Sequence, residues 1–376
     1  MSTILLKPRA TVLGDTLAKG VNLLVQDGLI AAIGQEMPQA ERELELDGVV
    51  LPGLIDLQVN GGAGHSADEA NPEALNAIAR CSREGGAAAF LPTLISAPME
   101  RMLAQTSALA DWIEAFDESR PDLAIPLGIH LEGPFLEAQG AHQADSFVDP
   151  TPDRIDALIR AGRGQVRLVT LAPGRDGAPA AIHQLREAGV SVSIGHGKTT
   201  DGLAACVDAG ARLATHLYNA MGPIHHRRPG LAGLVLDETR LTCSLILDGA
   251  HVHPAMVRNA WRCLGAERTI LITDAVSAAG MPDGDYRIQG DAVHLTDGVV
   301  RNERGALAGS ALTMTAAIRQ FLEILPEAGP ATLARIAAAN PARAIDAESW
   351  GDLAVGKRAL LTFLDADGQA SFLDLA

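Results

Sequence analysis

The chain is poor in aromatic residues and has no long uninterrupted apolar segment. Phe, Trp and Tyr make up only 3% of its 376 residues, although hydrophobic residues reach 47%. A core of this composition depends on Ala, Leu, Ile and Val, which suits parallel strands covered by helices on both faces. No apolar run approaches the roughly 18 residues that a membrane span needs, so we expect no transmembrane segment.

Cysteine pairs and excess positive charge are also missing. The four cysteines, Cys81, Cys206, Cys243 and Cys263, form no C-x-x-C motif, which disfavours a disulfide framework or a structural zinc knuckle. The first residues lack the features of a secretory signal peptide, so we expect a cytoplasmic protein. The formal net charge of -16 disfavours nucleic acid and membrane surfaces as general partners. An anionic substrate would therefore need a local basic pocket.

Short apolar segments separated by Gly and Asp turns lie near both ends of the chain. Val21–Val25 belongs to the first group and Leu360–Phe363 to the second. They predict a small β-sandwich domain built from residues 1–50 and 348–376. Residues 51–347 would then form a second, larger domain.

The central part of the sequence alternates between β-branched apolar segments and helical segments. Ala, Leu, Arg and Glu recur with helical spacing in stretches such as Pro72–Arg83, Pro152–Ala161, Ala180–Ala188 and Pro254–Leu264. Eight β/α alternations in one block are typical of an α/β fold of the (β/α)8, TIM-type barrel class. An open doubly wound sheet is the alternative, but no G-x-G-x-x-G follows a strand. The predicted strands are Leu54–Val59, Ala87–Leu94, Ile125–Leu131, Val166–Leu171, Val190–Ile194, Ala211–Leu217, Leu241–Leu247 and Thr269–Thr273.

Side chains that can bind a metal or move a proton stand at the ends of four predicted strands. They are Glu132, His196, His216 and Asp274. Because the active site of such a barrel lies at the carboxyl ends of its strands, we expect the four to meet. Glu with two His is a common catalytic zinc ligand set, which leaves Asp274 to transfer protons. Taken singly, each has a simpler explanation, such as a structural His, a helix-capping Asp or a Glu paired with Arg.

The first strand lacks the H-x-H motif that many two-metal barrel hydrolases carry. It reads Asp56-Leu57-Gln58-Val59-Asn60, and Gln58 is a poor zinc ligand. The fourth strand, Val166–Leu171, has no Lys that could bridge two metals. We therefore expect one metal ion, with Gln58 beside the site rather than bound to the metal.

A basic segment, His225-His226-Arg227-Arg228, follows the sixth strand, and His251 follows the seventh. Arg offers a planar fork that matches phosphate, and His can add a donor. The spacing leaves two interpretations open, a phosphate pocket or a solvated charged loop. The segment Leu307–Ser310 is similarly open, because its amides could line a sugar site or Ser310 could only cap the next helix.

Four stretches together carry a recognisable combination of motifs: Pro52–Gly62, His130–Phe135, Thr215–Met221 and Leu271–Ala275. They resemble the N-acetylglucosamine-6-phosphate deacetylases of the amidohydrolase superfamily. The likeness runs in order over nearly the whole chain. It depends on Gln58 in place of the first-strand His pair and on Glu132 at the end of the third strand.

The resemblance implies roles for particular residues. Glu132, His196 and His216 bind one divalent metal per subunit, usually zinc, with iron, cobalt or manganese as other possibilities. Asp274 is the general base and acid, and His142 contacts the substrate near its acetamide. The family is typically a homodimer, in which Arg227 reaches the neighbouring subunit's site. The residues implied to hold the phosphosugar are Ala141, His142, Asn219, Ala220, Arg227, His251, Leu307, Ala308 and Gly309.

The implied reaction is hydrolysis of the acetamide of N-acetyl-D-glucosamine 6-phosphate, in amino-sugar catabolism or cell-wall recycling. A sibling enzyme for N-acetylgalactosamine 6-phosphate would share every proposed ligand, and an inactive barrel scaffold is the non-enzymatic alternative. A cyclic amidase would require the missing H-x-H and Lys. The sequence departs from the family pattern at Glu137–Gln139, Gly197 and Arg228, which bears on affinity more than on the reaction.

Overall fold

The two ends of the chain meet in one sheet. The computed structural model describes residues 3–375, and its first strand, Thr3–Leu13, runs parallel to Arg42–Pro52. The C-terminal strand Leu361–Asp365 pairs with the other side of Arg42–Pro52 in the antiparallel direction. These three strands and four others form a single seven-stranded sheet with its own apolar core. The sequence predicted a β-sandwich here, but hydrogen bonds join all seven strands into one sheet. The other strands are Thr16–Lys19, Asn22–Gln26, Leu29–Gly34 and Ala370–Leu373.

The central strands form a parallel barrel in sequence order, as predicted. Every residue of Leu54–Val59 and of Ala87–Ile95 is buried, because helices cover the outside and side chains fill the inside. The barrel closes where Val59 bridges Ala275 and the Asn60 amide donates to the Ala275 carbonyl at 2.7 Å. The remaining strands are Ile125–Pro126 with Ile129–Glu132 as the third, Val166–Leu171, Ser191–Ile194, Leu213–Ala214, Thr242–Ile246 and Thr269–Ile272.

The helices begin and end at the signals that the sequence contains. Asn71 accepts a hydrogen bond from the Ala74 amide and Pro72 follows it, so the first long helix starts there. None of the helices within residues 3–375 is long and apolar enough to cross a membrane. The α-helices are Pro72–Glu84, Met99–Glu114, Pro152–Gly162, Ala178–Glu187, Leu203–Asp208, Gly230–Asp237, Pro254–Leu264, Met314–Ile324, Pro330–Ala334 and Asn340–Ala344, with a π-helical turn at Arg335–Ala339 and 3-10 turns at Ala67–Glu69 and Ala144–Ser146.

A small antiparallel sheet, which the sequence reading did not predict, follows the eighth barrel strand. Its strands are Gly284–Ile288, Asp291–Thr296 and Val299–Asn302, and we call it the insert. Two-residue turns join them at Gln289-Gly290 and Asp297-Gly298, where all four residues have positive φ, as a type I′ turn requires. The insert packs its apolar face over one side of the barrel mouth. A short pair, Gly61–Gly62 with His65–Ser66, lies after the first barrel strand.

Candidate active site

Glu132, His196 and His216 come together at the carboxyl ends of the third, fifth and sixth strands, and we call them the ligand triad. The Glu132 Oε1 atom lies 2.9 Å from His216 Nε2 and 3.2 Å from His196 Nε2. The two Nε2 atoms are 3.0 Å apart. All three side chains are buried and offer one ligand atom each to a common point. This is a donor set of the kind that binds a divalent cation.

The short loop at Glu137–Gln139 fixes how His196 presents its ring. The His196 carbonyl accepts hydrogen bonds from the Glu137 and Ala138 amides, and His196 Nδ1 lies 2.8 Å from the Ala138 carbonyl oxygen. A carbonyl can only accept, so Nδ1 carries a proton, and Nε2 is the nitrogen that can offer a lone pair to a ligand. Gly140 makes this approach possible, because it has a φ of +53° and an added Cβ would lie 3.0 Å from His196 Cε1. The loop Glu137–Gln139 therefore orients the His196 ring.

Burial and mutual charge set the protonation states of the triad. Burial alone would raise the pKa of Glu132, but its close contacts with the imidazoles of His142, His196 and His216 outweigh burial and hold that pKa well below its usual range. Burial alone would lower the pKa of His216, whereas the hydrogen bond and charge of Glu132 raise it overall. The carboxylate is thus ionised and available as a ligand.

His142 approaches the triad from the loop after the third strand. Its Nε2 atom lies 3.5 Å from Glu132 Oε2, and its Nδ1 accepts a hydrogen bond from the Ser96 amide at 3.2 Å. Burial, followed by the charge of His196, lowers the pKa of His142 to about 4. A neutral ring that accepts at Nδ1 must carry its proton at Nε2, so His142 presents a donor at the site.

Asp274 lies at the end of the eighth strand and is held through one oxygen. Its Oδ1 accepts hydrogen bonds from Gln58 Nε2 at 2.9 Å and from Asn60 Nδ2 at 2.7 Å. Gln58 in turn accepts from Thr215, the neighbour of His216, at 2.8 Å. Among residues 3–375 no side chain or amide donates to Asp274 Oδ2. Burial, and then the charge of Glu132, raise the pKa of Asp274 to about 6, which suits a group that accepts and returns a proton.

Unusual backbone conformations mark three of these strand ends. His196, His216 and Asp274 have φ values of 49°, 29° and 51°, in a region that residues other than glycine rarely adopt. Such strain persists where the surrounding fold dictates it, and it concentrates at functional sites. Here it ends the strands and leaves these side chains at the barrel mouth.

A cavity of about 210 Å³ lies over the triad and Asp274. Nearly all residues that the sequence assigned to the substrate line it. Arg227 is the exception, because it is exposed on the loop 222–229 and lies outside the lining. Gln58 is also outside the lining, and its Nε2 donates to Asp274 Oδ1. The lining includes Ala141, His142, Asn219, Ala220, His251, Leu307, Ala308 and Gly309.

Several lining or supporting residues were not assigned a role from the sequence. Asn60 holds Asp274, and its place directly after the first strand was the available signal. Asp248 holds His251: its Oδ2 lies 2.7 Å from His251 Nδ1, and its Oδ1 accepts from the His251 amide. The contact with His251 outweighs burial and lowers the pKa of Asp248. Of the apolar lining residues, Ile95, Val276, Ile288 and Ala308 belong to the hydrophobic cluster that contains the insert.

Comparison with known proteins places the chain in a family. It matches the amidohydrolase family over residues 49–376. It is 38% identical over 350 residues to an N-acetylgalactosamine-6-phosphate deacetylase of Escherichia coli, covering 92% of this chain and 90% of that protein. It is 32% identical over 373 residues to an N-acetylglucosamine-6-phosphate deacetylase of Bacillus subtilis, covering 97% and 94%.

A solved structure gives a likeness of the same extent. A mutant N-acetyl-D-glucosamine-6-phosphate deacetylase of Mycobacterium smegmatis, in complex with N-acetyl-D-glucosamine-6-phosphate, superposes with a TM-score of 0.91 and is 36% identical. The match covers 99% of this chain and 98% of that one. The chain therefore belongs to the amidohydrolase family and, within it, to the N-acetylglucosamine-6-phosphate deacetylases.

Proposed function

We propose that the protein hydrolyses the acetamide of N-acetyl-D-glucosamine 6-phosphate to D-glucosamine 6-phosphate and acetate. The observation that carries this proposal is the buried ligand triad, which shares one cavity with Asp274 and the neutral donor His142. Relatives with this named activity, matched over 81% and 97% of this chain, support it.

We propose that Glu132, His196 and His216 hold one divalent metal ion per subunit, zinc in preference to iron, cobalt or manganese. The fit rests on the donor set. His196 uses Nδ1 to donate to the Ala138 carbonyl, which leaves Nε2 facing a carboxylate oxygen 3.2 Å away, and a shared cation would satisfy both atoms as acceptors. Bound there, the ion would supply Lewis-acid chemistry, which polarises a carbonyl and makes water a stronger nucleophile at neutral pH.

The remaining steps use the chain's own groups. Asp274 Oδ2, the oxygen left without a donor, takes a proton as water attacks the acetamide carbonyl carbon. His142 donates from Nε2 to the carbonyl oxygen, where negative charge develops. Asp274 then returns the proton to the sugar nitrogen as the C–N bond breaks, so that acetate and the amino sugar leave.

We propose that His251 and Asn219 hold the phosphosugar within the cavity. Asp248 supports this role for His251, because its Oδ2 accepts a hydrogen bond from His251 Nδ1 and so leaves Nε2 to face the ligand. Arg227 is proposed to act from the second copy of a homodimer, which is consistent with its exposed loop and its position outside the lining of the chain's own cavity. The predicted cytoplasmic location stays a prediction.

A second candidate is the galactosamine epimer. The observation that favours it is the name of the 38% identical relative from Escherichia coli, an N-acetylgalactosamine-6-phosphate deacetylase. The proposed triad, base and donor would serve both sugars, since the two differ only at C4. Only a direct comparison of the two substrates separates these functions.

The testing experiment measures amine release by the purified protein from both phosphorylated sugars and from unphosphorylated N-acetylglucosamine. It is run as purified, after chelation, and after zinc is restored. Release that favours N-acetylglucosamine 6-phosphate and needs both metal and phosphate would support the proposal. A preference for the galactosamine epimer would move the assignment to the second candidate. No release from either phosphosugar would refute both.

A further inference from the structure

Four apolar residues of one hydrophobic cluster line the active-site cavity. Ile95, Val276, Ile288 and Ala308 line it, and we call these four residues the apolar wall. They belong to the same hydrophobic cluster, which the insert forms with the ends of the second and eighth strands. Each is at most 8% exposed, so the wall is a packed surface rather than a set of mobile side chains.

Close contacts fix the position of the apolar wall. Gln289, next to Ile288, donates from Nε2 to the Ile95 carbonyl at 2.8 Å, which ties the insert to the end of the second strand. A Cβ added at Gly309 would lie 2.3 Å from Val276 Cγ1 and 2.9 Å from the Asp274 carbonyl oxygen. The segment containing Ala308 therefore packs directly against Val276.

The apolar wall adjoins the groups that act on the acetamide. Val276 is two residues from Asp274, and Ile95 is next to Ser96, whose amide orients His142. The groups proposed for the phosphosugar, Asn219 and His251, come instead from the loops after the sixth and seventh strands. The acetyl methyl is the substrate's one wholly apolar group, and burying it against polar groups would gain little.

We propose that the apolar wall receives the methyl of the acyl group and limits that group to two carbons, with Val276 and Ile288 as specificity-determining residues. This inference rests on the proposed function. A packed wall of this kind rejects an added methylene by roughly 10- to 200-fold in kcat/KM, because the extra group must displace packed side chains.

The experiment compares N-acetyl-, N-propionyl- and N-butyrylglucosamine 6-phosphate as substrates of the wild-type protein, Val276→Ala and Ile288→Ala. The control is Val293→Ala. Val293 is a valine of the same cluster and, like Val276, is 2% exposed, but it does not line the cavity. The two valine variants thus lose the same atoms from the same core, and thermal unfolding shows whether they lose similar stability.

We expect the ratio of butyryl to acetyl kcat/KM to rise at least about tenfold in Val276→Ala or Ile288→Ala, and to stay within about twofold of wild type in Val293→Ala. If both wall variants keep the wild-type ratio of butyryl to acetyl kcat/KM, while the wild-type protein is active on the acetyl sugar, the role of the apolar wall is refuted. The proposed function would be unaffected by that result. An equal rise in Val293→Ala would also overturn it. If the wild-type protein releases no amine from any of the three sugars, both proposals fall.

Discussion

Asn60 offers a way to perturb the proposed base without touching it. Its Nδ2 donates to Asp274 Oδ1 at 2.7 Å, and its own Oδ1 has no hydrogen-bond partner among the described residues. The change Asn60→Ala therefore removes one polar contact, and that contact goes to the carboxyl group that is proposed to move the proton. Gln58 remains to hold the same oxygen.

The direction and size of the effect follow from this contact. Burial and the charge of Glu132 raise the pKa of Asp274 to about 6, and the Asn60 hydrogen bond opposes them. A hydrogen bond to a charged group contributes about 1.5–3 kcal/mol. At 1.36 kcal/mol per pKa unit, its loss should raise the pKa of Asp274 by about 1 to 2 units. Because the ionised form is the base, the acid limb of activity should move to higher pH by the same amount.

The assay is the pH dependence of kcat/KM on the preferred phosphosugar, with metal content measured at each pH. The control is Asn219→Ala, because Asn219 lines the same cavity but donates to the His216 and Leu217 carbonyls rather than to Asp274. We expect that control to raise KM and leave the acid limb in place. An acid limb that stays in place in Asn60→Ala, or that moves equally in both variants, would refute the assignment of Asp274 as the base.

Three further outcomes are expected. Asp274→Asn should keep the fold and lower turnover at least about a hundredfold, since an amide cannot accept the proton; near-normal turnover would contradict this. Glu132→Gln should purify with much less metal by elemental analysis, because the triad loses its charge; full occupancy would count against the triad. Burial raises the pKa of Asp56 to about 7, whereas an unfolded chain has an Asp pKa of about 4. Between these pH values the folded protein keeps a proton that the unfolded chain has released. The stability of the folded protein therefore falls as the pH rises from about 4 toward 7. From about pH 5 to about pH 8, the free energy of unfolding of Asp56→Asn, measured in urea, should therefore rise by about 1 kcal/mol or more relative to that of the wild type. The same difference between the two proteins at both pH values would refute this pKa for Asp56.

Local signals predicted the barrel well because each strand and helix carries its own pattern. The helix Pro254–Leu264 has the predicted bounds, since Pro stands at its first turn and Gly265 follows it. The sixth strand was predicted as Ala211–Leu217 but spans only Leu213–Ala214. The residues that follow stay buried through Leu217, yet the positive φ at His216 turns the chain out of the sheet, and this conformation depends on tertiary contacts.

The insert contains turn signals in its sequence from which its hairpins could have been predicted. Asp297-Gly298 is a strong two-residue hairpin signal, and Gln289-Gly290 has the glycine that such a turn favours. The apolar wall could not be predicted without the insert, because Ile288 and Ile95 are far apart in sequence and only the insert brings them together. The strand-end residues needed only the barrel to be brought together, whereas the wall also needed an element that covers the mouth.

His142 and His196 show most clearly what the sequence alone could not provide. His142 accepts the Ser96 amide at Nδ1, so its proton lies on Nε2 and it acts as a donor. His196 donates from Nδ1 to the Ala138 carbonyl, so its Nε2 holds a lone pair and it can act as a ligand. The same residue type thus takes opposite roles because one backbone amide and one backbone carbonyl face the two rings. Both contacts use backbone atoms, the amide of Ser96 and the carbonyl of Ala138. Substitutions at Ala138 should therefore affect the site only when they move the backbone of its loop.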